Sequence, residues 1–172
     1  MKIQDALGFL PSGMQKKVEE LALTAIGGLM IPLVGIVTPR VVEMSETRTI
    51  LKIPLNFLTR NHLKVMYFGA INIGAELSIA MLAFKFTRES EHRIDFLFRD
   101  YKINFLKRAD GDVHFICEEN EAVLAQLRES ETTDERLNRT YKAYAVVPSV
   151  DPNVHVAEFE LTLSTKRRPK KS

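Results

Sequence analysis

Between Leu63 and Phe86 the chain runs for the length of a long helix with almost no charge. The stretch is apolar nearly all round, so a helix there must be wrapped by other elements. One residue breaks the pattern. Glu76 is the only charged side chain between Lys64 and Lys85. An unpaired carboxylate in apolar surroundings is costly. Glu76 is therefore expected to be hydrogen-bonded, raised in pKa or aimed into a cavity. The bland alternative is a narrow solvent stripe or a pair with an arginine on a strand.

A bilayer would also wrap an apolar helix, but a carboxylate near mid-span opposes this. A second uncharged stretch, Leu21 to Pro39, contains Gly27, Gly28, Pro32 and Gly35. It sits at the short edge of the roughly 17–25 residues a span needs. The first apolar run follows mixed charge, unlike a signal peptide. A cytoplasmic location without stable membrane insertion is expected.

The rest of the chain supplies the wrapping. Ser12 is a candidate cap for an amphipathic helix carrying Met14, Val18, Leu21 and Ile26, ended by Gly27 and Gly28. From Val41 to Leu55 the period changes to two, with Thr47, Thr49, Leu51, Ile53 and Leu55 on one face, which predicts a strand. Tyr101, Ile103 and Phe105 alternate with polar residues, as do Val113, Phe115 and Cys117. Asp110-Gly111-Asp112 between them predicts a hairpin. Glu119 to Glu129 reads as a short helix. Strands follow around Tyr141 to Val147 and Ala157 to Leu163, joined by a Pro- and Asp-rich turn. This order predicts an α+β fold, an antiparallel sheet curling around one apolar helix.

A length of 172 residues suits one domain with appendages. We divide it into an N-terminal helical extension (1–39), a main domain (40–165) and a basic, disordered tail (166–172). The formal net charge is +2, but the tail holds five basic residues and no acid. The remainder has nineteen basic against twenty-two acidic residues. A nucleic-acid partner is not expected of such a body, and the tail reads as a solubilising terminus.

Few residues invite chemistry. The single cysteine, Cys117, excludes an internal disulfide and reads as a small buried hydrophobe. His92, His114 and His155 show no metal-ligand spacing, so no metal is expected. Ser12, Ser45 and Ser78 lack a nucleophile-elbow context. Asn61 and His62 precede the long helix, where a cap or turn role is the default.

The segment Asn61 to Glu76 resembles the central-helix signature of the hotdog-fold thioesterases, in the phenylacetate-type acyl-CoA thioesterase branch. That signature is an Asn, then His-Gly-Gly-Ala six residues later, then a catalytic Asp six residues past the Ala. Here stand Asn61, Tyr67-Phe68-Gly69-Ala70 and Ala75-Glu76. Tyr67 replaces the His, Phe68 the first Gly, and Glu76 the Asp. The chain looks closest to a bacterial branch carrying Arg-Asn-His before the helix and Ala-Glu within it, and covers the fold from about Arg40 to Thr165.

The resemblance implies a hotdog fold, a curved antiparallel sheet around a long central helix. It implies hydrolysis of an acyl thioester, with coenzyme A as part of the substrate and no cofactor. Glu76 would be general base or nucleophile, the Gly69 amide would polarise the carbonyl, and Asn61 would orient water or carbonyl. His62, Tyr67, Phe68 and Ala70 would line the substrate site. Arg60, Arg88, Arg99, Lys102 and Lys107 are available for coenzyme A phosphates, and the Leu21 to Val37 stretch for a lid. Two chains would share two sites, so a dimer or dimer of dimers is expected. The alternatives are a non-catalytic fatty-acyl or acyl-CoA binder, favoured by the lost His-Gly-Gly, and an enoyl-CoA hydratase or dehydratase.

Overall fold

The structure, a computed structural model, describes residues 31–168. The predicted helix after Ser12, and most of the 1–39 extension, lie outside the described residues. The described chain forms α1 (Pro32–Ile36), β1 (Arg40–Met44), β2 (Thr49–Ile53) and α2 (Phe68–Glu89). There follow β3 (Ile94–Phe105), β4 (Val113–Cys117), α3 (Asn120–Ser130), β5 (Leu137–Val147) and β6 (Asp151–Arg167). The six strands form one sheet in the order β1-β2-β4-β5-β6-β3, with every neighbouring pair antiparallel. The long helix lies against this sheet, the α+β hotdog arrangement expected above.

α2 is a core helix. From Gly74 to Ala83 every residue except Glu76 is buried. It approaches the sheet tightly at Gly74, where a Cβ would overlap the ring of fully buried Phe115 on β4. Glycine at this point lets the helix backbone ride directly on an aromatic ring. Phe115 in turn packs on Phe159 of β6, ring centroids 6.2 Å apart.

α2 starts at Phe68, five residues later than the apolar run suggested. The cause is local. Asn61 Oδ1 accepts hydrogen bonds from the backbone of Leu63 (2.8 Å) and Val65 (3.3 Å), closing an Asx-type turn. Lys64 then takes a left-handed φ of 63°, and Tyr67 is extended. Helical backbone cannot continue through that sequence of dihedrals.

Two strand expectations need correction. The single strand read from Val41 to Leu55 is a hairpin, β1 and β2, with a reversal at Ser45–Arg48. Ser45 Oγ bonds the backbone carbonyl and amide of Arg48 (both 3.1 Å), and Arg48 pairs with Glu43 at 2.8 Å. The buried face of β2 is as expected, with Thr49, Leu51 and Ile53 inside. Nor do β3 and β4 form a hairpin. β3 pairs with β6, whereas β4 lies between β2 and β5. The Asp110–Asp112 segment crosses the end of the molecule instead: Asp112 accepts from the Leu55 amide (2.9 Å) and pairs with Lys52 (2.6 Å).

The basic tail also begins later than expected. β6 runs through Arg167, which pairs with Asp134 (2.9 Å), and Arg168 pairs with Asp95 (2.7 Å). Residues 169–172 lie outside the described residues.

Beneath α3 the sheet carries a buried polar cluster. Gln126 Nε2 donates to the Leu163 carbonyl (3.0 Å) and to Thr165 Oγ1 (3.1 Å), and the Tyr141 hydroxyl donates to Gln126 Oε1 (2.7 Å). Burial pushes the Tyr141 hydroxyl pKa up to about 12, so it remains a donor. Gln126→Leu should leave the Tyr141 hydroxyl without this acceptor and Thr165 without this donor. We expect a loss of about 2–3 kcal/mol, read from the urea midpoint at unchanged slope.

Candidate active site

Glu76 is placed by the helix and exposed by the sheet. The sheet's last strand, β3, stands off from α2 and leaves an apolar trough between them. One lobe, of about 630 Å³, is walled by Leu77, Met81 and Phe84 of α2 and by Ile94 and Phe96 of β3. A second lobe, of about 570 Å³, runs past Asn72, Phe98 and Tyr101. Glu76, Ile73, Phe96 and Leu97 line both, so the carboxylate sits where the lobes meet.

Glu76 makes no hydrogen bond or ion pair among the described residues. Its side chain is open to the trough, but the apolar walls strip water from it. Burial alone raises its pKa above the ordinary carboxylate value. A carboxylate so placed is a stronger base than one in water, and it faces apolar material. Two of the three expectations for Glu76 are met: it lines a cavity and its pKa is raised.

Asn72, one helical turn before Glu76, accepts a 2.9 Å hydrogen bond from the Tyr101 hydroxyl of β3. Burial raises the Tyr101 pKa, keeping it a neutral donor. This polar pair in an apolar trough escaped the sequence analysis. Its two halves are 29 residues apart, and only the α2–β3 packing brings them together. Arg136 and Arg168, at the far end of the larger lobe, were also missed. Arg136 donates to Ser164 Oγ (3.0 Å) and Arg168 to Asp95 (2.7 Å).

The other predicted site residues cluster at the start of α2, away from the trough. None of Asn61, His62, Tyr67, Phe68, Gly69 and Ala70 lines either lobe. Asn61 shapes the turn before the helix. His62 is exposed. Ala70 is buried in the core. Tyr67 and Phe68 are half-exposed, and the Tyr67 ring lies over Gly69, where an added Cβ would come within 2.6 Å of it.

The first intrahelical bond of α2 runs from the Ile71 amide to the Tyr67 carbonyl (3.1 Å), and Tyr67 provides no side-chain cap. The amides of Phe68, Gly69 and Ala70 therefore precede the helical ladder, at its positive end. Of the basic residues available for phosphates, Arg88 lies over the Phe84 ring (5.5 Å) beside the trough. Lys102 pairs with Glu160 on the outer sheet face (3.8 Å), and Arg60 stacks on Phe57 (5.6 Å).

No three His, Cys, Asp or Glu side chains are grouped for a metal among the described residues. Cys117 is fully buried with its thiol pKa pushed up to about 11, which removes it as a nucleophile.

Solved structures with this architecture are numerous. A protein from Shewanella oneidensis proposed as a thioesterase is 12% identical with a TM-score of 0.71, covering 86% of this chain and 96% of its own. A thioesterase family protein from Silicibacter pomeroyi is 14% identical with a TM-score of 0.62, covering 87% and 99%. A Chlorobaculum tepidum protein of unknown function is 12% identical with a TM-score of 0.73, covering 87% and 94%. At such identities the likeness defines the fold, a hotdog fold. A search of the curated proteins finds no match.

Residues 20–157 match the family described as a domain of unknown function, DUF4442, and the chain belongs to that family. The match begins within the stretch read as an N-terminal extension.

Proposed function

We propose that the protein hydrolyses acyl thioesters, with coenzyme A esters as the substrate class, at the trough around Glu76. One observation carries this reading: within the buried stretch Gly74 to Ala83, the single exposed side chain is a pKa-raised carboxylate with no partner among the described residues, at the junction of two apolar lobes. The names of the structural neighbours and the spacing Asn61–Gly69–Glu76 support it.

Glu76 acts as general base. It takes a proton from water as the water oxygen bonds to the thioester carbon. The oxyanion that forms needs donors, and the free amides at the start of α2, Gly69 above all, suit it. Collapse of the intermediate breaks the carbon–sulfur bond, and the thiolate takes the proton. Alternatively the carboxylate attacks the thioester carbon directly and the carbon–sulfur bond breaks, releasing the thiolate and giving a mixed anhydride that water hydrolyses to the free acid and the regenerated carboxylate.

The two parts of this machinery are seven residues apart on one helix, about 10 Å along the axis. One carbonyl cannot meet both within a single chain, so the site pairs Glu76 of one protomer with the helix start of another. Strand β3 offers the means. It is twelve residues long, ends the sheet, and on its outer side pairs with no strand among the described residues. A second copy pairing there forms the dimer with two shared sites, in the manner of the phenylacetate-type branch.

Release of free thiol from a panel of acyl-CoAs tests the reading. Rates should rise with acyl length while the chain fills the trough, then level off. The lost His-Gly-Gly pattern favours a second reading, a non-catalytic acyl binder. Saturable binding of long-chain acyl-CoA with no thiol release would establish that one instead.

A further inference from the structure

We propose that the loop before α2 and the β3–β4 connection, beside the helix start but not including it, form a docking surface for anionic lipid bilayers. They are joined by the Met66 amide to the Ala109 carbonyl (3.0 Å), by Leu55 to Asp112 (2.9 Å) and by the Phe68 and Phe105 rings (5.6 Å).

Apolar side chains project from this surface. Phe57 is 78% exposed, Leu58 59%, Leu63 56% and Leu106 51%. They do so from a built turn. Thr59 Oγ1 donates to the Pro54 carbonyl (2.6 Å) and accepts from the Asn56 amide (2.9 Å), while Asn56 Oδ1 accepts from the Leu58 amide (2.8 Å). Hydrogen bonds thus hold Phe57 and Leu58 out in water, an arrangement unfavourable for a chain with nothing to bind there.

The charges around these side chains are of one sign. From Pro54 to Ala75 the chain has no acid. Arg60, Lys64, Lys107 and Arg108 are exposed and form no ion pair among the described residues. Of the nearby acids, Asp112 is committed to Lys52, which leaves Asp110.

The pattern selects the occupant. A second copy docked on this patch about a two-fold axis would set these cations against themselves. Phe57, Leu58 and Leu63 project without lining either lobe of the trough, so they suit a fluid apolar layer better than a pocketed partner. Apolar tips ringed by cations match the acyl boundary and anionic headgroups of a bilayer. The surface is separate from the Glu76 trough, and binding there does not require hydrolysis.

The chain has no tryptophan, so Phe57→Trp provides a unique reporter in the full-length protein. Vesicles of phosphatidylcholine with about 30% phosphatidylserine should shift its emission to the blue, and pure phosphatidylcholine should not. In vesicle co-sedimentation, Phe57→Ser with Leu58→Ser should weaken binding by more than about tenfold. Lys107→Glu with Arg108→Glu should do the same at low salt and matter less at high salt. Unchanged circular dichroism for each variant keeps the comparison sound. An unshifted reporter would overturn the proposal, as would full binding by the Phe57/Leu58 variant, which would assign attachment to the basic C-terminus. Loss of self-association in that variant without vesicle binding would make the patch an interface between copies, and would also overturn it.

Discussion

Glu76→Gln should lower thiol release by about 10²–10⁴-fold and at the same time raise the melting temperature at neutral pH. The two effects have one source. Glutamine keeps the shape of the side chain but cannot accept a proton from water. It also cannot carry charge into the apolar trough.

The sign of the stability effect follows from the raised pKa. The folded-state value stands above the unfolded one, so the fold disfavours the ionised form. Stability that Glu76 contributes at low pH is lost as the pH rises through the folded pKa. The gain from Glu76→Gln should therefore be present at pH 8 and vanish near the ordinary carboxylate pKa of about 4.3. Turnover runs the other way. The wild-type rate should fall as pH drops through the raised pKa, placing the acid limb above the ordinary carboxylate range. Thermal melts across pH, beside a pH–rate profile, would check both. A variant destabilised at pH 8 would mean that Glu76 is paired in solution.

The second large effect concerns the contact between α2 and β4. Phe115→Ala should cost about 3–5 kcal/mol, because Phe115 is fully buried and its ring fills the space against Gly74. Gly74→Ala should cost about 1–3 kcal/mol alone, since the new methyl overlaps that ring. In the Phe115→Ala background the same substitution should change sign. The ring is gone, a methyl partly fills the cavity, and alanine favours the helix by about 1 kcal/mol over glycine. A double-mutant cycle by urea unfolding would read the reversal directly. Additive costs would show that the helix does not rest on the ring as described.

The elements that the sequence made legible are those whose pattern is local and strong. The apolar run at α2 demanded wrapping, and the core indeed closes around it from Gly74 to Ala83. Thr49, Leu51 and Ile53 announced their buried face by period two. The β5–β6 hairpin declared itself by its turn. What failed were partnerships. The Ser45–Arg48 reversal contains no glycine or proline and is held by a serine hydroxyl and the Arg48–Glu43 pair. Alternation therefore ran through it without a visible break. Asp110-Gly111-Asp112 looked like a hairpin turn, but alternation identifies faces and not neighbours, and β3 found β6.

The site divides in the same way. Glu76 was legible because a lone charge in an apolar helix needs an explanation. Asn61 carries a local role, two backbone hydrogen bonds that set where the helix begins. The Asn72–Tyr101 pair and the two arginines of the trough depend on β3 standing away from α2. No spacing in the chain announces that separation.

The most direct test of the proposal that the Glu76 trough is a hydrolytic site is the steady-state release of coenzyme A from a long-chain acyl-CoA at pH 8. Wild type and Glu76→Gln should be measured side by side, with acyl-CoA binding followed in both. We expect turnover by the wild type, and a glutamine variant that binds the ester but releases thiol at least about a hundredfold more slowly. Equal rates for the two proteins, or binding by both with turnover by neither, would contradict the account.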